Sequence, residues 1–331
     1  MDNCLSRFRI CNHGAVKTPR PLPEPLALAP FTCQEATDAG VSLRRLRHQA
    51  LHSPSRGIRV PDYRPALGPA ESFAPEAIRP FTRVTEFSAA SHATAFTFWK
   101  FPGFLPGQRD PRVHISRPDT MAISRRTGVI GHVGQFFDDE IVSVDGLLVT
   151  SRVRTWLDIS RKMSVEELTV VADHLLRIPR PEFETRDEPH ATLGHLADML
   201  DRHKGTPGIR KARLALDLAR VGADSAPETR LRLALEFGGL PEPQLNVRTE
   251  LRSGVVRQPD IGYPEHQVAV EYEGEGHSGA EQIVRDIARE EDYGRGGWLL
   301  VRISKRHMQK DARSAVAKVR AALLSRGWLP K

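Results

Sequence analysis

From Val268 to Gly274 the chain alternates between apolar and acidic side chains. Side chains on a strand point to opposite faces in turn, so Val268, Val270 and Tyr272 are predicted to face a core. Glu271 and Glu273 then share the other face. Ser225 is placed to cap a helix that runs to Phe237, with Pro227 and Glu228 in its first turn and Gly238-Gly239 ending it. Strands are expected near 244–250, 255–263 and 267–273, followed by a helix over 280–294. A buried strand from Trp298 to Ile303 and a closing helix over 309–326 complete the pattern. Helix, three strands, helix, strand, helix is the order of an α/β sandwich, here spanning 223–331.

Upstream the periods are shorter. Thr32 can cap a helix through Ala39, Gly40 permits a sharp turn, and Ser42 can cap a second helix from Leu43 to Gln49. Leu43, Leu46 and Ala50 fall on one face of it, with Arg44, Arg45, Arg47 and His48 on the others. The Gly-led strand Arg56-Gly57-Ile58-Arg59-Val60-Pro61 follows. This order reads as a winged helix-turn-helix over 29–65. A small helical hairpin with solvated arginines is the plain alternative. Residues 1–28, mixed and then Pro-rich, read as a disordered tail. Pro65, Pro69, Pro75 and Pro80 read as a linker over 66–81, because that density opposes both helix and central strand. Residues 82–222 read as a mixed α+β middle region. It holds a helix from Ser88 to Phe98 and short strands at Arg112–Ser116, Val129–Val133 and Ile141–Val149. Helices headed by Thr150-Ser151 and Ser164 follow, and two more cover 191–203 and 208–221.

A chain of 331 residues has room for two or three domains. Its 27% charged and 40% hydrophobic residues are ordinary for a soluble globular protein. The net charge of +7 and pI of about 9.6 come from Arg, whose guanidinium fork suits phosphate. That balance fits a nucleic-acid partner without requiring one. Cys4, Cys11 and Cys33 are odd in number and form no close pair, which argues against a disulfide framework and a zinc site. The first residues lack an apolar stretch of signal-peptide type, and no run approaches the roughly 18 apolar residues of a membrane span. The expectation is a reduced, cytoplasmic protein without a membrane partner.

The chemistry sits on the strand that opens the pattern. Two carboxylates side by side raise one another's pKa, and a divalent cation relieves the crowding. Mg²⁺, or Mn²⁺, takes oxygen ligands and keeps several waters, so Asp260, Glu271 and Glu273 suffice as metal ligands. Asp260 comes from the neighbouring strand, and Glu228 could reach the same metal or its water shell. His277 could move a proton. Arg285 and Arg289, with Asp286 between them, could face a phosphate or pair with the acids. Each has a plain alternative: a solvated strand face for Glu271 and Glu273, a turn residue for Asp260, a helix-dipole acid for Glu228 and an idle loop residue for His277.

Taken in order, Glu228, Pro259-Asp260, Glu271-Tyr272-Glu273-Gly274, His277, Arg285-Asp286 and Gly297-Trp298 resemble the endonuclease-like domain family allied to very-short-patch repair endonucleases. That family belongs to the PD-(D/E)XK superfamily. The resemblance covers about a third of the chain and implies a restriction-endonuclease-like core and Mg²⁺-dependent cleavage of phosphodiester bonds. It gives Asp260 the metal-binding Asp role and Glu271 the acid of the (D/E)XK motif. Glu273 stands where the superfamily usually has its Lys, a departure that allied families share. The water-activating group is then His277, a Lys or Arg from elsewhere, or none.

The first 180 residues have a likeness of their own. Phe31 to Pro61, Ser91-His92-Ala93-Thr94-Ala95 and Gly146-Leu147-Leu148-Val149-Thr150-Ser151, leading to Arg154-Thr155-Trp156-Leu157-Asp158, resemble the antitoxin of the AbiE type IV toxin–antitoxin system. In that family an N-terminal winged helix binds promoter DNA. The resulting expectation is a Mg²⁺-dependent DNA endonuclease that holds DNA through Arg44, Arg45, Arg47 and Arg59. The rival expectation is a regulator or antitoxin-like binder that has lost catalysis. A third is a defence-system or toxin–antitoxin component acting with a partner protein.

Overall fold

The computed structural model describes residues 19–61, 74–181, 184–274 and 280–330, with backbone alone for 280–283 and 285. It is a mixed α and β structure with several sheets. The first unit runs β1 (Phe31–Thr32), α1 (Cys33–Asp38), α2 (Leu43–Leu46), β2 (Leu51–His52) and β3 (Ile58–Pro61). Thr32 and Glu35 satisfy each other's backbone N–H groups at 3.0 and 2.7 Å, which fixes the start of α1. Gly40, at φ +79°, turns the chain towards α2, which Ser42 caps. β1 and β2 both pair antiparallel with β3. A single turn of α2 buries Leu46 and leaves Leu43 exposed, so the expected helix to Gln49 is cut short. Leu22 and Leu26 pack into the small core of Phe31, Ala36, Leu46 and Leu51. Residues 19–28 are therefore not a free tail; residues 1–18 lie outside the described residues.

The expected linker contains a helix, α3 (Pro75–Arg83). Pro75 takes the first helical position, where a missing N–H costs nothing, and Pro80 is tolerated inside. Burial of Ile78 and Phe81 with Ile58 of β3 outweighs the proline penalty. An ion pair between Arg83 and Glu35 adds to that contact.

The middle region runs β4 (Ala89–Ala90), α4 (His92–Phe98), β5 (Val113–Pro118), β6 (Val129–Gly134), β7 (Ile141–Val144), β8 (Leu147–Thr150), α5 (Arg152–Ile159), α6 (Val165–Leu176), α7 (Leu193–Arg202) and α8 (Ile209–Leu218). The sheet order is β6-β5-β4-β8-β7. The helix expected from Ser88 begins only at His92. Ala89 and Ala90 instead form a central strand, where small side chains lie fully buried between β5 and β8. Trp156, Leu157, Leu175, Leu196 and Met199 form the helical core beside this sheet.

The C-terminal region runs α9 (Ala226–Phe237), β9 (Gln244–Leu245), β10 (Thr249–Glu250), β11 (Val256–Arg257), β12 (Ile261–Tyr263), β13 (Val268–Glu273), α10 (Ala280–Arg295), β14 (Leu299–Ser304) and α11 (Arg313–Ser325). Two expected strands are split: β10 and β11 leave the main sheet as a separate ribbon. The main sheet is β14-β13-β12-β9, with β13 and β14 parallel and the other pairs antiparallel. Val268, Val270, Val301 and Ile303 face Leu231 and Leu235 of α9 and Val319 and Leu323 of α11. Ala269 faces the other way, against Tyr293 of α10, Trp298 and Leu251. The helices thus cover both faces, and Glu271 and Glu273 leave the sheet on the α10 side.

Candidate functional site

Register brings two of the acids together. Ile261 pairs with Val270, so Asp260, one residue earlier, lies opposite Glu271. Asp260 accepts the backbone N–H of Tyr272 at 2.7 Å. The Asp260 carboxyl is pushed up to about 7, first by burial and then by the charge of Glu228, with smaller contributions from Glu271 and Asp224. Ionising Asp260 is therefore costly where it lies.

Asp260, Glu271 and Glu273 line one polar cleft of about 730 Å³, together with Arg180, Arg257, Asp286, Arg289, Tyr293 and Arg302. The Glu271 side chain is 14% exposed and bonds Arg289 Nη1 at 2.9 Å. The Tyr293 hydroxyl donates to its other oxygen at 3.4 Å, and burial followed by the Glu271 charge raises the Tyr293 pKa. Glu273 is 47% exposed and pairs with Arg302 Nη1 at 3.0 Å. Among the described residues, no three His, Cys, Asp or Glu side chains already stand as a set of metal ligands. The two glutamates are turned onto arginines instead. The donor set is all oxygen and crowded with charge, which fits a hard cation of the Mg²⁺ kind.

Glu228 is near this group but engaged elsewhere. It accepts from Ser225 Oγ at 2.7 Å, the Asp224 N–H at 2.9 Å and Asn246 Nδ2 at 3.1 Å. It steadies the start of α9, which Ser225 caps, and acts on Asp260 through its charge. Gly222, at φ +122°, allows this approach, because a Cβ there would meet Leu245 at 2.9 Å. Its carbonyl accepts from Asn246 at 2.7 Å. His277 lies outside the described residues, and for Arg285 only the backbone is described.

Arg180 was missed by sequence reasoning. It follows α6, far from the acids in the chain, yet pairs with Asp224 and bonds Asn246 Oδ1 at 3.1 Å. No spacing signal marks it. Asp286 also lines the cleft, and its carbonyl accepts from Arg302 at 2.9 Å.

The four expected DNA-contacting arginines divide into two pairs. Arg44 and Arg47 are exposed on and beside α2. Arg45 is tied back through Nε to the Arg20 carbonyl at 2.9 Å. Arg59 bonds the carbonyls of Leu46 at 2.7 Å and Ile58 at 2.8 Å, and Ser53 Oγ at 2.9 Å. Its guanidinium is a brace between α2 and β3. Among the described residues, no helix is long and apolar enough to cross a membrane.

Comparisons place the chain beside two proteins of Mycobacterium tuberculosis. Uncharacterized protein MT2308 of strain CDC 1551 / Oshkosh and Uncharacterized protein Rv2248 of strain H37Rv are each 26% identical to it over 177 residues. The match covers 53% of this chain, and the chain spans 62% of the length of these curated relatives. No protein-family model matches the chain, and no solved structure matches it significantly.

Proposed function

We propose that the chain is a metal-dependent DNA endonuclease of the PD-(D/E)XK kind with a DNA-holding N-terminal winged helix. One observation carries the reading: Asp260 faces Glu271 across paired strands, with Glu273 on the same face of one polar cleft. The order of α9, β9, β12, β13, α10, β14 and α11 supports a restriction-endonuclease-like core. The order β1-α1-α2-β2-β3, with β1 on β3, supports a winged helix-turn-helix.

In this reading Asp260 and Glu271 hold Mg²⁺ or Mn²⁺, with Glu273 as a third oxygen ligand. When bound, the cation lowers the pKa of a coordinated water and offsets charge on the scissile phosphate. The Tyr272 N–H fixes the Asp260 carboxylate, and Tyr293 restrains Glu271. Arg289 and Arg302 are placed to exchange their glutamates for phosphate oxygens. His277 remains a candidate for proton transfer. The test is incubation of plasmid DNA with Mg²⁺ or Mn²⁺ and wild type, Asp260→Ala or Glu271→Ala. Nicking by wild type and none by the variants is expected; equal activity in all three sinks the assignment.

The two arginine–glutamate pairs favour a second reading, a DNA-binding regulator or antitoxin-like protein without catalysis, working alone or with a toxin or defence-system partner. Arg289 and Arg302 would then stand permanently where a cation would sit. A salt-dependent shift of promoter DNA, with no heat of Mn²⁺ binding in calorimetry, is its signature.

A further inference from the structure

Four arginines line the acidic cleft, and one of them comes from outside the C-terminal region. Arg257, Arg289 and Arg302 are paired with C-terminal acids: Asp292, Glu271 and Glu273. Arg180 belongs to the segment after α6. Its Nη2 is anchored to Asp224 and to Asn246 Oδ1, the latter at 3.1 Å. Arg180 therefore reaches the cleft without occupying either glutamate that a cation would take. Its side chain is 40% exposed, and a guanidinium held at one nitrogen keeps donors for a second partner.

Asn246 sets this arginine in place. It follows β9 in the left-handed region, at φ +50°, which Asn tolerates better than most residues. Its N–H donates to the Asp260 carbonyl at 3.2 Å. Its Nδ2 donates to Glu228 at 3.1 Å and to the Gly222 carbonyl at 2.7 Å, while its Oδ1 takes Arg180. One residue thus ties the middle-region arginine to the backbone of Asp260. Asp224 has a second cation in reach, Arg177 Nη1 at 3.7 Å, so its charge does not depend on Arg180 alone. A strut between regions needs no place on the cleft wall. A cation beside acids that gather a divalent ion stands where a phosphodiester needs a partner.

We propose that Arg180, positioned by Asn246, contacts a DNA phosphate in the acidic cleft, so that the middle region completes a site whose acids are C-terminal. The proposal rests on the nuclease reading for its ligand, nucleic acid. Fluorescence anisotropy of the full chain with labelled duplex DNA tests it in Ca²⁺, which also takes oxygen ligands. The parent protein carries Arg44→Ala and Arg47→Ala, to reduce binding by the winged helix. Arg180→Gln is expected to weaken binding about tenfold, as loss of a charge-assisted bond does. Arg180→Lys keeps the charge without the fork and is expected to lie between Arg180→Gln and the parent. Asn246→Gly keeps the left-handed backbone without the amide and is expected to weaken binding. Asp224→Asn removes the ion pair, keeps an oxygen for Arg180, and is expected to weaken binding less than Arg180→Gln. A mere strut would make those two variants equal. Equal losses in them, parent-like affinity of Arg180→Gln, or no binding by the parent overturns the proposal. Should Arg180→Gln melt below the parent, parent-like affinity of both Arg180→Lys and Asn246→Gly overturns it instead. Nicking in Mn²⁺ is scored separately: none by wild type, with the Arg180 effect retained, overturns the nuclease reading and leaves the phosphate contact standing.

Discussion

The Asp260 carboxylate accepts the backbone N–H of Tyr272 at 2.7 Å, which ties the acid ahead of β12 to the strand that carries Glu271 and Glu273. Three acids are thereby held together by backbone geometry rather than by attraction. Arg289 and Arg302 offset Glu271 and Glu273, while the buried Asp260 carboxyl stays costly to ionise.

That cost is measurable as stability. In metal-free protein the Asp260 carboxyl is raised from 3.8 to about 7, so between these values the native state binds more protons than the unfolded state. Stability is then lost as pH rises through this window. At 1.36 kcal/mol per pKa unit, the full effect is about 4 kcal/mol above pH 7. Asp260→Asn cannot ionise and keeps an oxygen for the Tyr272 N–H. It is expected to exceed wild type in stability at pH 8 in EDTA and to match it near pH 4. Urea unfolding at the two pH values checks this; a variant weaker than wild type at pH 8 contradicts it.

The shared face of Glu271 and Glu273 was legible because strand alternation is a local rule, and Val268 and Val270 are buried opposite them as expected. The capping residues Thr32, Ser42 and Ser225 were legible for the same reason. What escaped the sequence depends on tertiary contact. α3 forms because Ile78 finds Ile58, not because its prolines favour helix. Arg180 enters the cleft only through the packing of the segment after α6 on Asp224. The bracing bonds of Arg59 to Leu46, Ile58 and Ser53 are likewise set by the fold and leave no local pattern.

Arg44 and Arg59 are consequently expected to behave differently. Arg44→Ala and Arg47→Ala remove exposed charge, so each is expected to weaken binding to DNA of any sequence. The slope of log affinity against log salt is expected to fall by about 1 per residue, with melting unchanged. Arg59→Ala strips three acceptors of their donor and is expected to lower stability by about 1–3 kcal/mol. Fluorescence anisotropy over a salt series, beside thermal melts, separates the two classes. A normal melt for Arg59→Ala contradicts its role as a brace.

The middle and C-terminal regions are joined by a buried ion pair. Arg232 of α9 meets Asp173 of α6 at 2.9 Å, both about 1% exposed, and Thr229 and the Arg220 N–H complete the Asp173 shell. Removing one partner leaves a charge buried and unpaired. Arg232→Met is therefore expected to destabilise the protein by about 3–5 kcal/mol, and the double variant Asp173→Leu with Arg232→Met by much less. Denaturant unfolding of the two variants measures the difference. Equal losses argue that the charges do not act as a pair.

Three imidazoles in the middle region make acid a specific threat. His114 Nδ1 lies 2.9 Å from His132 Nε2, and His92 stacks on His132 with ring centres 3.6 Å apart. Burial, followed by the positive charge of neighbouring imidazoles or Lys162, lowers His92 and His132 to about 3 and His114 to about 4. Arg154 opposes the charging of His92, while Asp158 favours that of His132 and Asp110 that of His114. The unfolded chain takes up these protons near pH 6.5 and the native state does not. The stability tied to neutral imidazoles is thus present above pH 6.5 and lost as pH falls towards 4. For the buried His114 the loss at pH 5 is about 2 kcal/mol. His114→Gln keeps a polar group beside His132 but cannot charge. The drop in its unfolding free energy from pH 7 to pH 5 is expected to be smaller than that of wild type by about this 2 kcal/mol. The Asp260 effect runs the other way in both proteins and cancels in the comparison, so an unchanged drop counts directly against a neutral, buried His114.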